Sequence, residues 1–231
     1  MKTYTHLFFD LDHTLWDFDT NARTTLAALY EEFGLQQWGA TSEAFISTFF
    51  VVLHELWDAY NRNQITKEGL REQRFVRIGE RLTGKRPAPM PELEAAYVRR
   101  CSRQGVLMPY TDEVLNYLRR AGYRLHILTN GFRESQRVKL ESAGIAGFFE
   151  TVTTSECTGE KKPHPAIFQH ALQQAQATTE EVILIGDNPE TDLRGAYGVK
   201  WDSVFYNPDK KVSAAPFTHE VRCLSALRGI F

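Results

Sequence analysis

The sequence predicts an α/β protein in which a parallel sheet carries helices on both faces and a separate all-helical segment is inserted into the chain. Three observations predict this class. From Tyr110 onward, stretches of strand and helix character alternate, the order that builds a parallel sheet with helical crossovers. The run Leu7-Phe8-Phe9 is apolar without alternation, as expected of a strand that is buried on both faces. From about Asp19 to Arg103 the apolar spacing is helical.

The inserted segment is predicted to hold four helices. Thr41 or Ser42 offers a start signal for the second, Gly84 closes the third, and a proline-rich break precedes the fourth, which starts at Pro91. Because this segment separates the first strand from the others, we expect a Rossmann-like core made of residues 1–17 and 105–231. Residues 18–104 are then expected to form a helical cap over the strand ends.

Within the alternating part, strands are predicted at residues 123–128, 151–153 and 182–185. Helices are predicted near residues 112–121, 134–143, 165–175 and 223–227, and a further short element is predicted at residues 204–206. Ligands bind at the carboxyl ends of the strands in such sheets, so the residues that follow each strand are the candidates for function.

Composition narrows the possible partners. The net charge of -2 implies no basic surface, so we do not expect a nucleic-acid polymer as the partner, whereas a single nucleotide is compatible with it. The cysteines Cys101, Cys157 and Cys223 lie far apart, which argues against disulfides or a zinc site and fits a cytoplasmic protein. The longest apolar stretch, residues 44–53, is too short to span a bilayer, so no membrane association is expected.

The first strand ends in two acids, Asp10 and Asp12, followed by Thr14. Two carboxylates in a partly buried position repel each other, and such a pair persists most easily if a cation lies between them or one of the acids takes part in proton transfer. The alternative is an ordinary Asx turn, which also favours Asp and Thr.

Three further strand ends carry chemistry as well. Thr129-Asn130-Gly131 combines a hydroxyl, an amide and an exposed backbone N–H before a helix, a pattern suited to binding phosphate but also to a simple helix start. Lys162 stands directly before Pro163, which restricts it, so its ammonium could neutralise a phosphoryl group; a solvated lysine is the alternative. Asp187 follows the strand at 182–185, where it could join Asp10 around a hard cation such as Mg²⁺. Asp192 lies one turn into the next element, and a turn with Asp192 as a helix cap is the alternative.

In this order the motifs resemble those of the haloacid dehalogenase superfamily: Asp10-Leu11-Asp12-His13-Thr14, Leu128-Thr129-Asn130-Gly131, Lys162-Pro163, and Gly186-Asp187 with Asp192. The helical insertion is similar to the first-position cap of that superfamily. The stretch from Asp10 to Asp17 and the cap length are most similar to bacterial pyrimidine 5′-nucleotidases that act partly on non-standard nucleotides.

The resemblance implies a Mg²⁺-dependent phosphomonoester hydrolase that acts through an aspartyl-phosphate intermediate on a small phosphorylated metabolite, a nucleoside 5′-monophosphate. In that mechanism Asp10 is the nucleophile. Asp12 protonates the leaving oxygen and then deprotonates the attacking water, while its backbone carbonyl binds Mg²⁺.

The remaining site residues are also implied by the resemblance. Asp10 and Asp187 are the side-chain ligands of Mg²⁺, with Asp192 as a further ligand or an anchor. The phosphoryl oxygens are held by Thr129 and by the backbone around Asn130 and Gly131. Lys162 offsets the negative charge.

Several alternatives stay open. The second acid, Asp12, favours phosphoryl transfer over dehalogenation, but a sugar-phosphate phosphatase or a phosphomutase of the same superfamily fits the motifs. A receiver-like phospho-accepting signalling module also combines strand-end Asp, Thr and Lys around Mg²⁺, although Asp12 and the long insertion count against it. Trp16 and Phe18 could stack a nucleobase or pack at the root of the cap, and Arg133 could contact phosphate or remain solvated. Oligomeric state is not indicated.

Overall fold

The structure, a computed structural model, describes residues 4–231. The chain divides into two compact units. One unit runs to Phe18 and resumes as Gly105–Phe231, and the other is Asp19–Gln104. Residues 1–3 of the predicted core lie outside the described residues, and the role of the second unit as a cap stays a prediction.

The first unit is built on a parallel sheet. The strands of the described chain are β1 (His6–Phe9), β2 (Arg124–Thr129), β3 (Phe149–Thr154), β4 (Val182–Gly186), β5 (Asp202–Tyr206) and β6 (His219–Val221). Their order in the sheet is β3-β2-β1-β4-β5-β6. In the ladder β1 lies between β2 and β4, with Phe9 opposite both Ile127 and Ile185. The carboxyl ends of these three strands therefore reach the same edge, and the predicted α/β class is confirmed.

Helices complete this unit: α5 (Thr111–Arg120), α6 (Arg133–Ser142), α7 (Pro165–Ala175) and α8 (Arg194–Gly198). Phe8 of β1 and Phe168 of α7 are fully buried in one apolar cluster with Trp201. Gly195 allows α8 to pack closely, because a Cβ there would lie 2.4 Å from a ring carbon of Phe168. The C-terminal part differs from the sequence prediction. The short element at residues 204–206 lies within strand β5, β6 is an additional strand, and the predicted helix near 223–227 is a 3₁₀ helix, Leu224–Gly229.

The second unit is helical as predicted. Its helices are α1 (Phe18–Glu32), α2 (Ser42–Asn61), α3 (Lys67–Thr83) and α4 (Pro91–Cys101). Phe18, the first residue of α1, still belongs to the first unit. The Thr41 hydroxyl caps α2 by accepting a hydrogen bond from the Ala44 N–H. A buried ion pair joins α3 to α4, with 2.9 Å between Arg74 Nη1 and Glu94 Oε1. Among the described residues, no helix is both long enough and apolar enough to cross a membrane.

Two buried histidines cross the first unit's sheet side by side. His6 Nδ1 and His126 Nε2 are 3.0 Å apart, and His126 Nδ1 is 2.9 Å from Thr151 Oγ1. Phe8 stacks on His126, with 4.6 Å between ring centroids. Burial lowers the pKa of His6 and lowers the pKa of His126 to about 4, with the neighbouring His6 adding to the effect on His126. Both rings are therefore neutral in the folded protein near pH 7.

Because these two histidines are buried and neutral, we expect the free energy of unfolding to decrease in mild acid. An unfolded histidine takes up a proton near pH 6.5, whereas folded His126 does so only near pH 4. The contribution of His126 to the free energy of unfolding is therefore full above pH 6.5 and is lost as the pH falls toward 4. We expect the melting temperature of the native protein to fall over this range more steeply than that of His126→Gln. The exposed His54 on α2 provides the control, His54→Gln, which should follow the native curve; parallel curves for the native protein and His126→Gln would contradict the prediction.

Candidate functional site

The loop after β1 places the first acidic motif at the sheet edge. Asp10 extends the strand by one residue, because its N–H donates to the carbonyl of Ile185 in β4 (2.9 Å). The chain then turns tightly: the N–H groups of Leu15 and Trp16 both donate to the carbonyl of Leu11 (2.9 Å each). His13 adopts a left-handed conformation with φ of 62° within this turn. The turn leaves the Asp10 carboxylate buried at the end of the central strand.

Lys162 contacts three oxygens that belong to different segments of the chain. Its Nζ lies 2.7 Å from Asp10 Oδ1, 2.6 Å from Asp192 Oδ1 and 2.7 Å from the carbonyl oxygen of Leu128. Burial alone would lower the pKa of this ammonium, but the two carboxylates hold it above its usual value. Lys162 is therefore a fixed, buried cation, and the solvated alternative for it is wrong.

The loops that carry Thr129-Asn130-Gly131 and Lys162 are tied together. Asn130 donates from Nδ2 to the Lys162 carbonyl (2.9 Å), and its Oδ1 accepts from the Lys162 N–H (2.7 Å). The Gly131 N–H donates to Thr129 Oγ1 (3.0 Å). The hydroxyl proton of Thr129 is thus left to donate elsewhere, which suits an anion-binding role.

The acids after β4 are held by short local contacts. Thr14 donates to Asp187 Oδ1 (3.2 Å), and the Asn188 N–H donates to Asp192 Oδ2 (3.1 Å). Asp192 lies in a single wide helical turn, Pro189–Leu193. Its carboxylate passes so close to the strand end that a Cβ at Gly186 would lie 2.4 Å from Asp192 Oδ2. Glycine is therefore required at position 186 by the position of a site carboxylate.

Asp10, Asp187 and Asp192 form a cluster of buried carboxylates that can hold a metal ion. One oxygen of each lies within 4.8 Å of the others. Burial raises the pKa of Asp10 and of Asp187 to about 6 and also raises that of Asp192, and repulsion among the three acids adds to the effect of burial. A hard divalent cation offsets this repulsion, and carboxylate oxygens are its preferred ligands. The donor set therefore fits Mg²⁺.

Asp12 faces a different set of partners, which sequence reasoning missed. Lys139 Nζ donates to Asp12 Oδ1 (2.5 Å), and Gln136 Nε2 donates to Asp12 Oδ2 (2.9 Å). Burial would raise the pKa of Asp12, but these contacts outweigh it and lower the pKa below the usual value. Both donors lie on α6 three residues apart. In the sequence such polar residues look like a solvated helix face, so no local signal pointed to them.

The aromatic and basic residues proposed for substrate contact have partners within the same unit. Trp16 is fully buried, which favours packing over nucleobase stacking. The ammonium of Lys139 lies 4.3 Å from the centroid of the Trp16 ring and 5.4 Å from that of Phe18. The Arg133 N–H donates to Glu156 Oε2 (2.6 Å), and its guanidinium donates to Cys157 Sγ (3.5 Å).

Comparison with known proteins agrees with this geometry. The family model of haloacid dehalogenase-like hydrolases matches residues 4–198. The chain belongs to that family. It is 29% identical over 222 residues to the pyrimidine 5′-nucleotidase PynA of Streptococcus pneumoniae, which covers 94% of this chain and 91% of PynA. It is 31% identical over 190 residues to the pyrimidine 5′-nucleotidase YjjG of Escherichia coli, covering 82% of this chain and 80% of YjjG.

Solved structures similar to this chain include one of a relative in the same family. The magnesium-bound haloacid dehalogenase-like hydrolase YfnB of Bacillus subtilis superposes with a TM-score of 0.89, at 26% identity and with 99% of each chain covered. The predicted superfamily and the enzyme class are thereby confirmed, and the similarity to PynA and YjjG supports the predicted 5′-nucleotidase branch.

Proposed function

We propose that this haloacid dehalogenase-like hydrolase is a Mg²⁺-dependent phosphomonoesterase that acts on nucleoside 5′-monophosphates through an aspartyl-phosphate intermediate. One observation carries the proposal: Lys162 Nζ lies 2.7 Å from Asp10 Oδ1 and 2.6 Å from Asp192 Oδ1, beside a third carboxylate, Asp187. A buried nucleophile, a fixed cation and a cation-binding cluster are the parts that phosphoryl transfer needs.

In the first step a carboxylate oxygen of Asp10 attacks phosphorus, and the bond between phosphorus and the ester oxygen breaks. The Lys162 ammonium neutralises charge on Asp10 and on the phosphoryl oxygens. Thr129 donates from its hydroxyl, and the backbone around Asn130 and Gly131 completes the binding of the phosphoryl group. These groups are held before substrate arrives, which keeps the cost of reorganisation low.

Asp12 transfers the protons. The contacts of Asp12 favour its carboxylate form in the substrate-free protein, and the negative charge of a bound phosphoryl group favours its protonated form. Asp12 then gives a proton to the leaving oxygen in the first step and takes one from the attacking water in the second, so the aspartyl-phosphate is hydrolysed and Asp12 regains its proton. Water attack on phosphorus restores the Asp10 carboxylate and releases inorganic phosphate.

Asp10, Asp187 and the backbone carbonyl of Asp12 would hold Mg²⁺, with Asp192 as a further ligand or an anchor. When bound, Mg²⁺ supplies charge neutralisation for the phosphoryl oxygens. The magnesium in the YfnB structure supports this choice of metal.

The similarity of this chain to the pyrimidine 5′-nucleotidases PynA and YjjG supports a pyrimidine nucleotide as its substrate. We also propose that the partner of the protein is a small phosphorylated metabolite and that the protein is located in the cytoplasm. A sugar-phosphate phosphatase or phosphomutase uses the same core chemistry, so only a comparison of substrates separates these activities.

We expect phosphate release from pyrimidine nucleoside 5′-monophosphates to require Mg²⁺. Chelation with EDTA should reduce release to the background rate, and added Mg²⁺ should restore it. The measurement is inorganic phosphate released from a panel of nucleoside monophosphates, sugar phosphates and small acid phosphates at equal concentration. Faster release from sugar phosphates, or conversion of one sugar phosphate into its isomer, would replace the proposed substrate class.

The same experiment addresses the signalling alternative. A receiver-like module would accept phosphate on Asp10 and retain it, with at most one phosphate released per protein molecule. Multiple turnovers are expected here, and a persistent phosphoprotein without turnover would contradict the proposed function.

A further inference from the structure

We propose that Lys139 and Gln136 are positioning residues that hold the Asp12 side chain in place for proton transfer to the leaving group. The inference rests on the proposed function, since it assigns a role to residues that act through Asp12. It concerns two side chains of α6 that the sequence motifs do not include.

Both oxygens of the Asp12 carboxylate are held by side chains of α6. Each of its oxygens has its own donor: Oδ1 accepts from Lys139 (2.5 Å) and Oδ2 accepts from Gln136 (2.9 Å). A carboxylate held at both oxygens by one helix cannot rotate freely about its side-chain bonds. About a quarter of the Asp12 side chain (23%) remains exposed, so the group is anchored but still accessible.

The two donors to Asp12, Lys139 and Gln136, are themselves buried. Lys139 is 6% exposed and Gln136 is 1% exposed, and burying an ammonium is costly unless it is paired. The Lys139 ammonium is matched by Asp12 and by the faces of Trp16 and Phe18, at 4.3 Å and 5.4 Å from the ring centroids. A lysine enclosed on these sides is fixed in space, as a positioning residue must be.

Gln136 also packs against Gly131 in the loop proposed to bind phosphate. A Cβ built at Gly131 would lie 1.6 Å from Gln136 Nε2. Any side chain at position 131 would thus displace Gln136 and, with it, one donor to Asp12. The glycine of the loop is needed to admit the side chain that holds Asp12.

A positioning role makes a specific prediction about leaving groups. An alkoxide leaving from a nucleoside monophosphate needs a proton from Asp12, whereas para-nitrophenolate is weakly basic and leaves without one. Displacement of Asp12 should therefore slow the first reaction and spare the second. A purely structural ion pair would affect both alike.

The test compares kcat/KM of the native protein and Lys139→Met on uridine 5′-monophosphate and on para-nitrophenyl phosphate, with Mg²⁺ present. We expect a loss of about 100-fold on the nucleotide, the scale of a misplaced catalytic group, and less than about threefold on para-nitrophenyl phosphate. Arg137→Met is the matched control, since Arg137 lies on the same helix but pairs with Glu141 at the surface (3.2 Å). Asp12→Asn/Lys139→Met should be no slower than Asp12→Asn alone, because both changes act on one step.

The outcomes separate the two proposals. Wild-type turnover no faster than that of Asp10→Asn would overturn the proposed function and this inference with it. Wild-type turnover with equal losses on both substrates in Lys139→Met, or with no loss, would overturn the positioning role alone. If Lys139→Met is unfolded in a thermal melt, Gln136→Leu removes the second donor and must show the same selective loss.

Discussion

Replacing Asp10 with asparagine should abolish turnover. The amide is a poor nucleophile and cannot form the aspartyl-phosphate, so kcat should fall by about 10⁴-fold or more. Phosphate released from uridine 5′-monophosphate gives the rate. Mass spectrometry of protein quenched in acid during turnover should detect the added phosphate in the native chain and not in Asp10→Asn.

The loss should not come from unfolding. Burial raises the pKa of Asp10 to about 6 although Lys162 opposes this effect, so near pH 7 the ionised Asp10 carboxylate makes the folded protein less stable relative to the unfolded chain. Because the pKa of this acid is higher in the folded protein than in the unfolded chain, its contribution to the free energy of unfolding increases as the pH falls. Removing this charge should leave the melting temperature in EDTA unchanged or higher, consistent with a trade of stability for activity. Equal turnover in Asp10→Asn and the native protein would remove Asp10 as the nucleophile.

Replacing Lys162 with methionine should damage both stability and activity. The change removes the cation between Asp10 and Asp192 and leaves both carboxylates buried without it. Breaking a buried ion pair from one side costs about 3–5 kcal/mol, which urea unfolding in EDTA would measure. In addition, the folded variant loses a positive charge that stabilises the transition state, so its kcat should be lower than that of the native protein by a factor of about 10²–10³.

The neighbouring lysine offers a matched control for this change. Lys161 is half-buried, and Lys161→Met alters the net charge by the same amount. We expect its stability and kcat to stay near those of the native protein. Mg²⁺ should narrow the stability gap between Lys162→Met and the native chain, because the metal ion replaces part of the lost positive charge. A Lys162→Met protein with native stability and turnover would show that the ammonium has neither role.

Much of the fold could be predicted because its signals are local. The Thr41 cap, Gly84 at the end of α3 and the apolar run of β1 each specify structure over a few residues. Where the signal is weak, prediction failed: β6 spans only three residues, and the C-terminal turn near Leu224 has too few residues for helical periodicity to distinguish it from a 3₁₀ helix.

The candidate site, like the fold, could be predicted only in part from the sequence. The sequence by itself determined that acids, a threonine and a lysine follow successive strands, and parallel strands bring such residues to one edge. Only the tertiary structure decided that Lys162 is buried between Asp10 and Asp192, and that Lys139, 127 residues away, holds Asp12. The physical reason is that the charge of a polar side chain is local information, whereas its burial and its partner depend on which distant segments pack around it.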